Sequence, residues 1–584
     1  MKCRFCGKKI KKGSNICDKC GKEVTEGLGT DELIDALPEL HDEFDNISKM
    51  QAKDKKKKEK KSQREANKKK NKKRNRIIIA IILVIAILCG VAAGMLFYKN
   101  KREKEIEANK TSAVSSEILT TIAGYGFTED LITDEISAKN AISHAKDMLG
   151  IQDIESEFKL EKTIVVDGAN FYRFRQMYKG IPVDCGEIIV AASPDGKAIS
   201  LNASYVKTAG LTNVYEIDKG GASTAITEYV NAMPDEYSVV EGTTVTDVEK
   251  VICTSNGFVH LAYMANVSGY NVNGEYMAYD VFVDGVSGNG IAATVTSSYE
   301  NDTPVVADIE ESYIYEMAAV SDKFNWNDKE SQAFEEKLSI KEIESGNSSA
   351  YVGSIKTHVD NVYNYFGNVL GWKGLDGQEG SFKVYINSNE YVKDTLPTEN
   401  AMYTNGKLMF FREDLTQGEM DYNIVAHEYA HGVISNVAGL CGTKEVGENA
   451  ALSEGIADVF AELAEAYLTG QKADWIHGER NLAYPSDGYL DVASGEIVIE
   501  NVADCYFHST IVSHMAAFMD NYDIDNKTMS EYWFKVLCLM RRNTNFSEFY
   551  KILSIVNVSM LEEGKFTEDQ YGSVMVGTEM ISGI

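Results

Sequence analysis

The spacing of apolar residues changes character along the chain, and each change marks a structural boundary. Residues 77–98 (IIIAIILVIAILCGVAAGMLFY) form an unbroken apolar run of 22 residues without a charge. As a helix this run is about 33 Å long, enough to span a bilayer core. A cleaved signal peptide would start near the N-terminus and have a shorter core. Here 76 residues precede the run, so one uncleaved membrane anchor is expected. Residues 105–160 carry helical spacing, as in ISAKNAISHAKDMLG. From Phe158 the period falls to two, and Gly168, Gly180-Ile-Pro and Pro194-Asp-Gly punctuate a series of short strands. A second unit predicts a helix near 221–232 and then strands through GFVHLAYMANVSG and EYMAYDVFVDGVSGNG. Residues 350–371 return to helical spacing, SFKVYINS (381–388) reads as a strand, and beyond 420 the pattern is mostly helical.

The predicted fold is therefore α+β and multidomain. The expected boundaries are a small N-terminal module at 1–24, a charged linker at 25–76 and the membrane helix at 77–98. Two mixed modules follow at 105–215 and 216–300, and a larger domain at 305–584, mixed at first and mainly helical later.

Charge fixes the orientation. The first 76 residues hold 24 Lys/Arg against 13 Asp/Glu; the remaining 508 hold 35 against 75. Fifteen of those cations fall in residues 51–76, directly before the apolar run. Such a flank stays on the cytoplasmic side and touches anionic lipid headgroups. Residues 1–76 are thus expected in the cytoplasm and 99–584 outside, as on an exposed bacterial cell surface. The acidic outer portion repels phosphate, which argues against nucleic acid as a partner.

Cys3, Cys6, Cys17 and Cys20 form CxxC–x10–CxxC. Two tight turns of this kind aim four thiolates at one tetrahedral zinc, and a reducing cytoplasm disfavours disulfides. Gly7 and Gly21 follow the second cysteine of each pair, where positive φ is often required. Four thiolates leave no open position, so a structural zinc is expected, with its cytoplasmic partner unknown. Of the other cysteines, Cys89 lies in the apolar run. Cys185, Cys253, Cys441, Cys505 and Cys538 are an odd number with no metal spacing.

The chemistry concentrates in NIVAHEYAHGVIS (423–435). His427 and His431, four apart, project from one face of a helix and offer two nitrogens to one zinc. Glu428 is placed to reach a metal-bound water. In ENAALSEGIADVFAEL (448–463), Glu454 and Asp458 share a face as well. Glu454 suits a third ligand, and Asp458 suits a hydrogen bond to the far nitrogen of a ligating His. Three protein ligands leave one position open, as catalytic zinc requires. Glu428 would take a proton from the zinc-bound water and return it to the leaving amine of a peptide bond.

These motifs resemble those of the thermolysin-type zinc metallopeptidases, the gluzincins, over roughly 350–584. The resemblance implies that His427, His431 and Glu454 hold zinc, Glu428 is general base and acid, and Asp458 orients His427. NAMYTNGKLMFF (400–411) is similar to the family's edge strand, where Asn400 and Ala401 would bond the substrate backbone. Arg480 matches an Arg supporting the substrate carbonyl. For the carbonyl-polarising His, alignment on Ser509-Thr510 offers Tyr506, and a small shift offers His508. Glu465, Asp474 and Glu479 match calcium ligands of a partial site, and one weakly held calcium at most is expected. Upstream, YRFRQMYKGIPVDCGEIIVAASPDGK looks like the fungalysin/thermolysin propeptide module and the unit ending YDVFVDGVSGNG like a PepSY module. In the family these hold the protease latent.

The chain departs from the pattern at four points. Gly442 stands for an oxyanion-binding Tyr, Asn423 for a calcium carboxylate, and His477 for an apolar residue of the specificity pocket; a further calcium Asp is missing. The expected function is a membrane-anchored, outward-facing zinc endopeptidase acting on peptide or protein substrates. The alternative is a catalytically degenerate surface protein that keeps the fold for binding or sensing.

Overall fold

The computed structural model describes residues 111–298, except 236 and 273–275, short strands at 312–317 and 340–342, and most of 350–582. Within that last stretch 381, 389–398, 405, 413–417, 441–446, 478–479 and most of 484–501 are not described. The expected zinc module with Cys3, Cys6, Cys17 and Cys20, the linker and the membrane helix at 77–98 all lie outside the described residues. Among the described residues no helix is long and apolar enough to cross a membrane.

The two upstream modules share one sheet of 11 strands. Strands β1 (Val114–Ser115) and β2 (Ile118–Ala123) precede two short helices, α1 (Glu135–Ala141) and α2 (Ser143–Leu149). Asp134 starts α1 with a reciprocal cap: its carboxylate accepts from Ser137 N, and Ser137 Oγ accepts from Asp134 N. A single turn, α3 (Ile154–Glu157), leads into β3 (Phe158–Val166), β4 (Ala169–Tyr178), β5 (Ile181–Ala192) and β6 (Ala198–Val206). These four pair antiparallel in sequence, and β2 closes on β6.

Helix α4 (Lys219–Asn231) opens the second module, followed by β7 (Glu241–Val245), β8 (Glu249–Ser255), β9 (Phe258–Tyr270), β10 (Tyr276–Asp284) and β11 (Gly290–Ser298). Ala222, Ile226 and Val230 of α4, four apart, pack on the strands beneath. The sequence pattern separates the modules near 215, but the structure joins them. Val183 on β5 pairs in parallel with Ile252 on β8, so one sheet continues through both. Alternation predicts strands; it does not say which edge meets which.

The rest begins with β12 (Ser312–Met317) and β13 (Ile340–Glu342), then α5 (Ala350–Leu370), β14 (Phe382–Ser388), β15 (Glu399–Thr404) and β16 (Lys407–Arg412). The strands form a sheet in the order β13-β12-β14-β16-β15, which leaves β15 at an edge. Six helices and a small hairpin follow: α6 (Tyr422–Ala438), α7 (Glu448–Thr469), the hairpin β17 (Ile476–His477) and β18 (Arg480–Asn481), α8 (Val502–Asp520), α9 (Asn526–Leu539), α10 (Phe546–Glu562) and α11 (Glu568–Ser582). Helix α7 is central: 16 of its 22 residues are buried, among them Glu454, Asp458 and Glu462. An apolar centre tolerates carboxylates only where cations or donors meet them. These three therefore point to the site.

Candidate metal centre

Helices α6 and α7 pack side by side, so residues four apart on each face one another. Asp421 caps the start of α6 by accepting from Asn423 N. Gly439, at φ 75°, ends that helix in the left-handed region. On α7, Gly455 permits a close crossing with α8. A Cβ there would lie 2.5 Å from Ser509 O and 2.6 Å from Val512 Cβ.

This packing brings together the three expected ligands. Nε2 of His431 lies 3.0 Å from Nε2 of His427. Glu454 places Oε2 3.2 Å from His427 Nε2 and Oε1 3.4 Å from His431 Nε2. A tetrahedral zinc with bonds of about 2.0–2.1 Å separates its ligand atoms by roughly 3.3 Å. The observed spacings match that edge length. His427 Nδ1 lies 3.0 Å from Asp458 Oδ1, an ion-pair distance that favours a proton on Nδ1 and the lone pair on Nε2. His431 Nδ1 lies 3.2 Å from Ser453 Oγ. Two nitrogens and a carboxylate facing inward repel one another unless a cation sits between them, so the residues present fit a zinc ion.

The electrostatics agree. Burial alone would lower the pKa of His427, but hydrogen bonds to Asp458 and Glu454 push it up to about 10. Burial alone would raise Glu454, yet the charge on His431 and bonds to both imidazoles hold it well below the usual carboxylate range. Asp458 sits at about 2: burial opposes ionisation, but the His427 bond and the charge on Arg480 prevail. The pocket demands positive charge, as a proton or as a metal.

Glu428, between the two histidines, is half-buried on the same helix. Arg480 forms a two-pronged ion pair with Asp458, at 2.8 Å and 3.2 Å. Its guanidinium thus braces Asp458, rather than acting only on the carbonyl of a substrate as the resemblance implies. His508 is buried, and its Nδ1 donates to Asp504 O at 2.9 Å. Tyr506, two residues earlier, is 47% exposed. Asn400 and Ala401 pair with Phe411 and Phe410 on the edge strand β15, which lies against α6. At Gly432 of α6 a Cβ would come within 2.6 Å of Leu375 and 3.1 Å of Tyr403 on β15. Gly442 and Glu479 lie outside the described residues.

His477 is buried beside the centre, edge-on to His427 with ring centroids 5.5 Å apart. Burial holds its pKa down to about 4, so the ring is neutral.

A second acidic cluster brings Glu465 and Asp474 together with Glu462. Asn423 Nδ2 donates to Glu462 Oε1 at 3.2 Å and to Glu465 Oε2 at 2.9 Å. Glu462 Oε2 and Asn423 Oδ1 are buried without a hydrogen-bond partner. Burial first, then the charges of Glu465, Asp474 and Asp458, push Glu462 up to about 8. The sequence reading passed over Glu462. Its signal was available, since it lies four residues after Asp458 on the same face of α7.

Comparison with known proteins follows the same division. Residues 156–205 match the Fungalysin/Thermolysin Propeptide Motif and residues 284–435 the Thermolysin metallopeptidase, catalytic domain. Protease PrtS of Photorhabdus sp. (strain Az29) is 30% identical over 143 residues, 24% of this chain and 36% of that protein. An extracellular metalloprotease of Pectobacterium carotovorum subsp. carotovorum is 26% identical over 177 residues, 27% of this chain and 48% of that protein. The chain thus spans less than half the length of either curated relative. The solved precursor of protealysin, a metalloproteinase from Serratia proteamaculans, shares 19% identity at a TM-score of 0.34, over 41% of this chain and 81% of that one. In its propeptide-motif and catalytic-domain segments, the chain is similar to a thermolysin-type metallopeptidase preceded by its propeptide.

Proposed function

We propose that the chain is a zinc endopeptidase, made as a precursor with its prodomain upstream, anchored in a membrane and facing outward. The observation that carries the hydrolase reading is the mutual spacing of His427, His431 and Glu454, which suits one tetrahedral cation. Anchoring and orientation rest on the apolar run at 77–98 and the cationic flank before it.

Bound zinc would supply Lewis acidity, acidifying water and polarising the carbonyl under attack. The chain's own residues do the rest. Glu428 accepts the proton of the attacking water and delivers it to the departing amine. Asp458, braced by Arg480, holds His427 with its Nε2 lone pair inward. The edge strand β15 offers backbone groups at Asn400 and Ala401 to an extended substrate. Because its Nδ1 proton is committed to Asp504 O, His508 can donate to a carbonyl oxygen only as imidazolium. The cluster of Glu462, Glu465 and Asp474 is read as a calcium site.

The full chain should hydrolyse casein, lose that activity to a zinc chelator and regain it with zinc. Glu428→Gln should bind zinc as before and turn over at least a hundredfold less. A wild-type protein that holds zinc and hydrolyses nothing would instead favour the degenerate binding protein.

A further inference from the structure

The sheet of the propeptide-motif module has two buried faces. One carries its own helices: Phe174, Ile188, Val190 and Leu201 form a core with α1 and α2. The other is continuous with the core of the C-terminal helices. Ile164, Val166, Phe171, Ile189 and Ile199 belong to the same cluster as Trp533, Phe549 and Leu553. The period of two carries this through: 169, 171 and 173 of β4 face the helices, while 172 and 174 face the module's own core. A register shift between Leu160 and Lys162 turns Leu160 to the inner core and Lys162 toward Asn436, at the end of α6.

The polar contacts across this seam complete a helix that is otherwise open. Helix α9 ends at Leu539 without a basic residue in its last turn, and Met540 is extended. Its final carbonyls need donors, because the end is buried. The prodomain supplies them. Arg173, 2% exposed, donates to Cys538 O at 3.2 Å and to Met540 O at 3.0 Å. Asn202, fully buried, donates to Leu539 O at 2.7 Å and accepts from Arg541 Nε at 2.9 Å. Lys565 adds an ion pair to Asp167 at 2.6 Å. A cavity of about 210 Å³ lies in the seam, lined by charges including Arg175, Asp184 and Arg542. Each of these crossing contacts ends on α9 to α11, their connections or the far end of α6, away from the ligand cluster.

We propose that this module is a permanent structural subunit of the peptidase lobe, capping α9 and closing its core. Cleavage of the connection between them would then leave a two-chain complex, not a free catalytic domain. The anchor expected at 77–98 would stay joined to the lobe through that complex.

The test uses the full chain in detergent, carrying Glu428→Gln so that no result depends on hydrolysis, with a specific protease site inserted between positions 300 and 311. After cutting, the two pieces should co-elute on gel filtration in 1 M salt, because the contact is mostly apolar and screening does not open it. They should part only in denaturant. A catalytic piece that elutes alone but has lost its near-UV dichroism also supports the proposal, since its fold then requires the sheet. A catalytic piece that elutes alone and melts cooperatively overturns it. In denaturant, Asn202→Ala should speed separation of the cut pieces about tenfold by stranding Leu539 O and Arg541 Nε; an unchanged rate would overturn the capping role. Asn202→Asp, which keeps the acceptor for Arg541, should lie between the two.

Discussion

Asp458 Oδ1 lies 3.0 Å from Nδ1 of His427, and the same carboxylate receives both prongs of Arg480. A buried acid on α7 thereby stands where it favours one tautomer of an expected ligand on α6. Asp458→Asn keeps the shape but offers an amide that can present its NH2 to the ring. Zinc affinity, measured by competition with a chromophoric chelator, should fall about 10–100-fold. Asp458→Ala should also leave Arg480 without its acid and lower the melting temperature. Unchanged zinc affinity in both variants would remove Asp458 from the centre.

His508 donates its Nδ1 proton to a backbone carbonyl, so the hydrogen bond to a substrate needs a second proton. His508→Ala should lower kcat/KM on the order of a hundredfold, and mostly through kcat. If Tyr506→Phe reproduces the loss and His508→Ala does not, the polarising group is the tyrosine.

Glu462 gives a pH signature in the cation-free protein. Its carboxyl is raised from 4.5 to about 8 in the fold, so the native state holds a proton that the unfolded chain releases. Stability from this group is complete below 4.5 and is lost as pH rises through 8. The melting temperature of chelated protein should therefore drop between pH 5 and 8. Glu462→Gln should flatten that drop. Added calcium should raise the melting temperature more at pH 8 than at pH 5, because the ion replaces the proton. A calcium shift independent of pH would contradict this assignment.

Gly455 adjoins the ligand Glu454 and sits where α7 crosses α8. An added methyl would meet Ser509 O at 2.5 Å, a backbone atom that cannot swing aside. Gly455→Ala should cost about 1–3 kcal/mol in urea denaturation and should weaken zinc binding as the helices part. Gly572→Ala, inside α11 and meeting nothing within 4 Å, is the control: it should leave zinc binding unchanged and raise stability by about 0.5–1 kcal/mol.

Much of the centre was legible in the chain. Helical periodicity alone puts His427 with His431 and Glu454 with Asp458, because side chains four apart share a face. That the two faces meet is an inference from residue chemistry, and α6 packs on α7 with His427, His431 and Glu454 within 3.0–3.4 Å of one another. Arg480 was matched by pattern to a substrate carbonyl, yet its partner is Asp458, which no local spacing encodes. Glu462 shows the opposite failure: its position was visible, but a carboxylate on a helix reads as solvated until its burial is known.

By itself the sequence determined what is local and covalent: element types, the apolar run with its charged flank, and the identity of the side chains expected to hold metal. These follow from periodicity, charge and donor chemistry, which act over a few residues. Only the tertiary structure decided that one sheet runs through both upstream modules and that the prodomain finishes the end of α9. Arg173 and Cys538 are 365 residues apart in the chain, and their contact depends on which faces remain uncovered once every local element has formed.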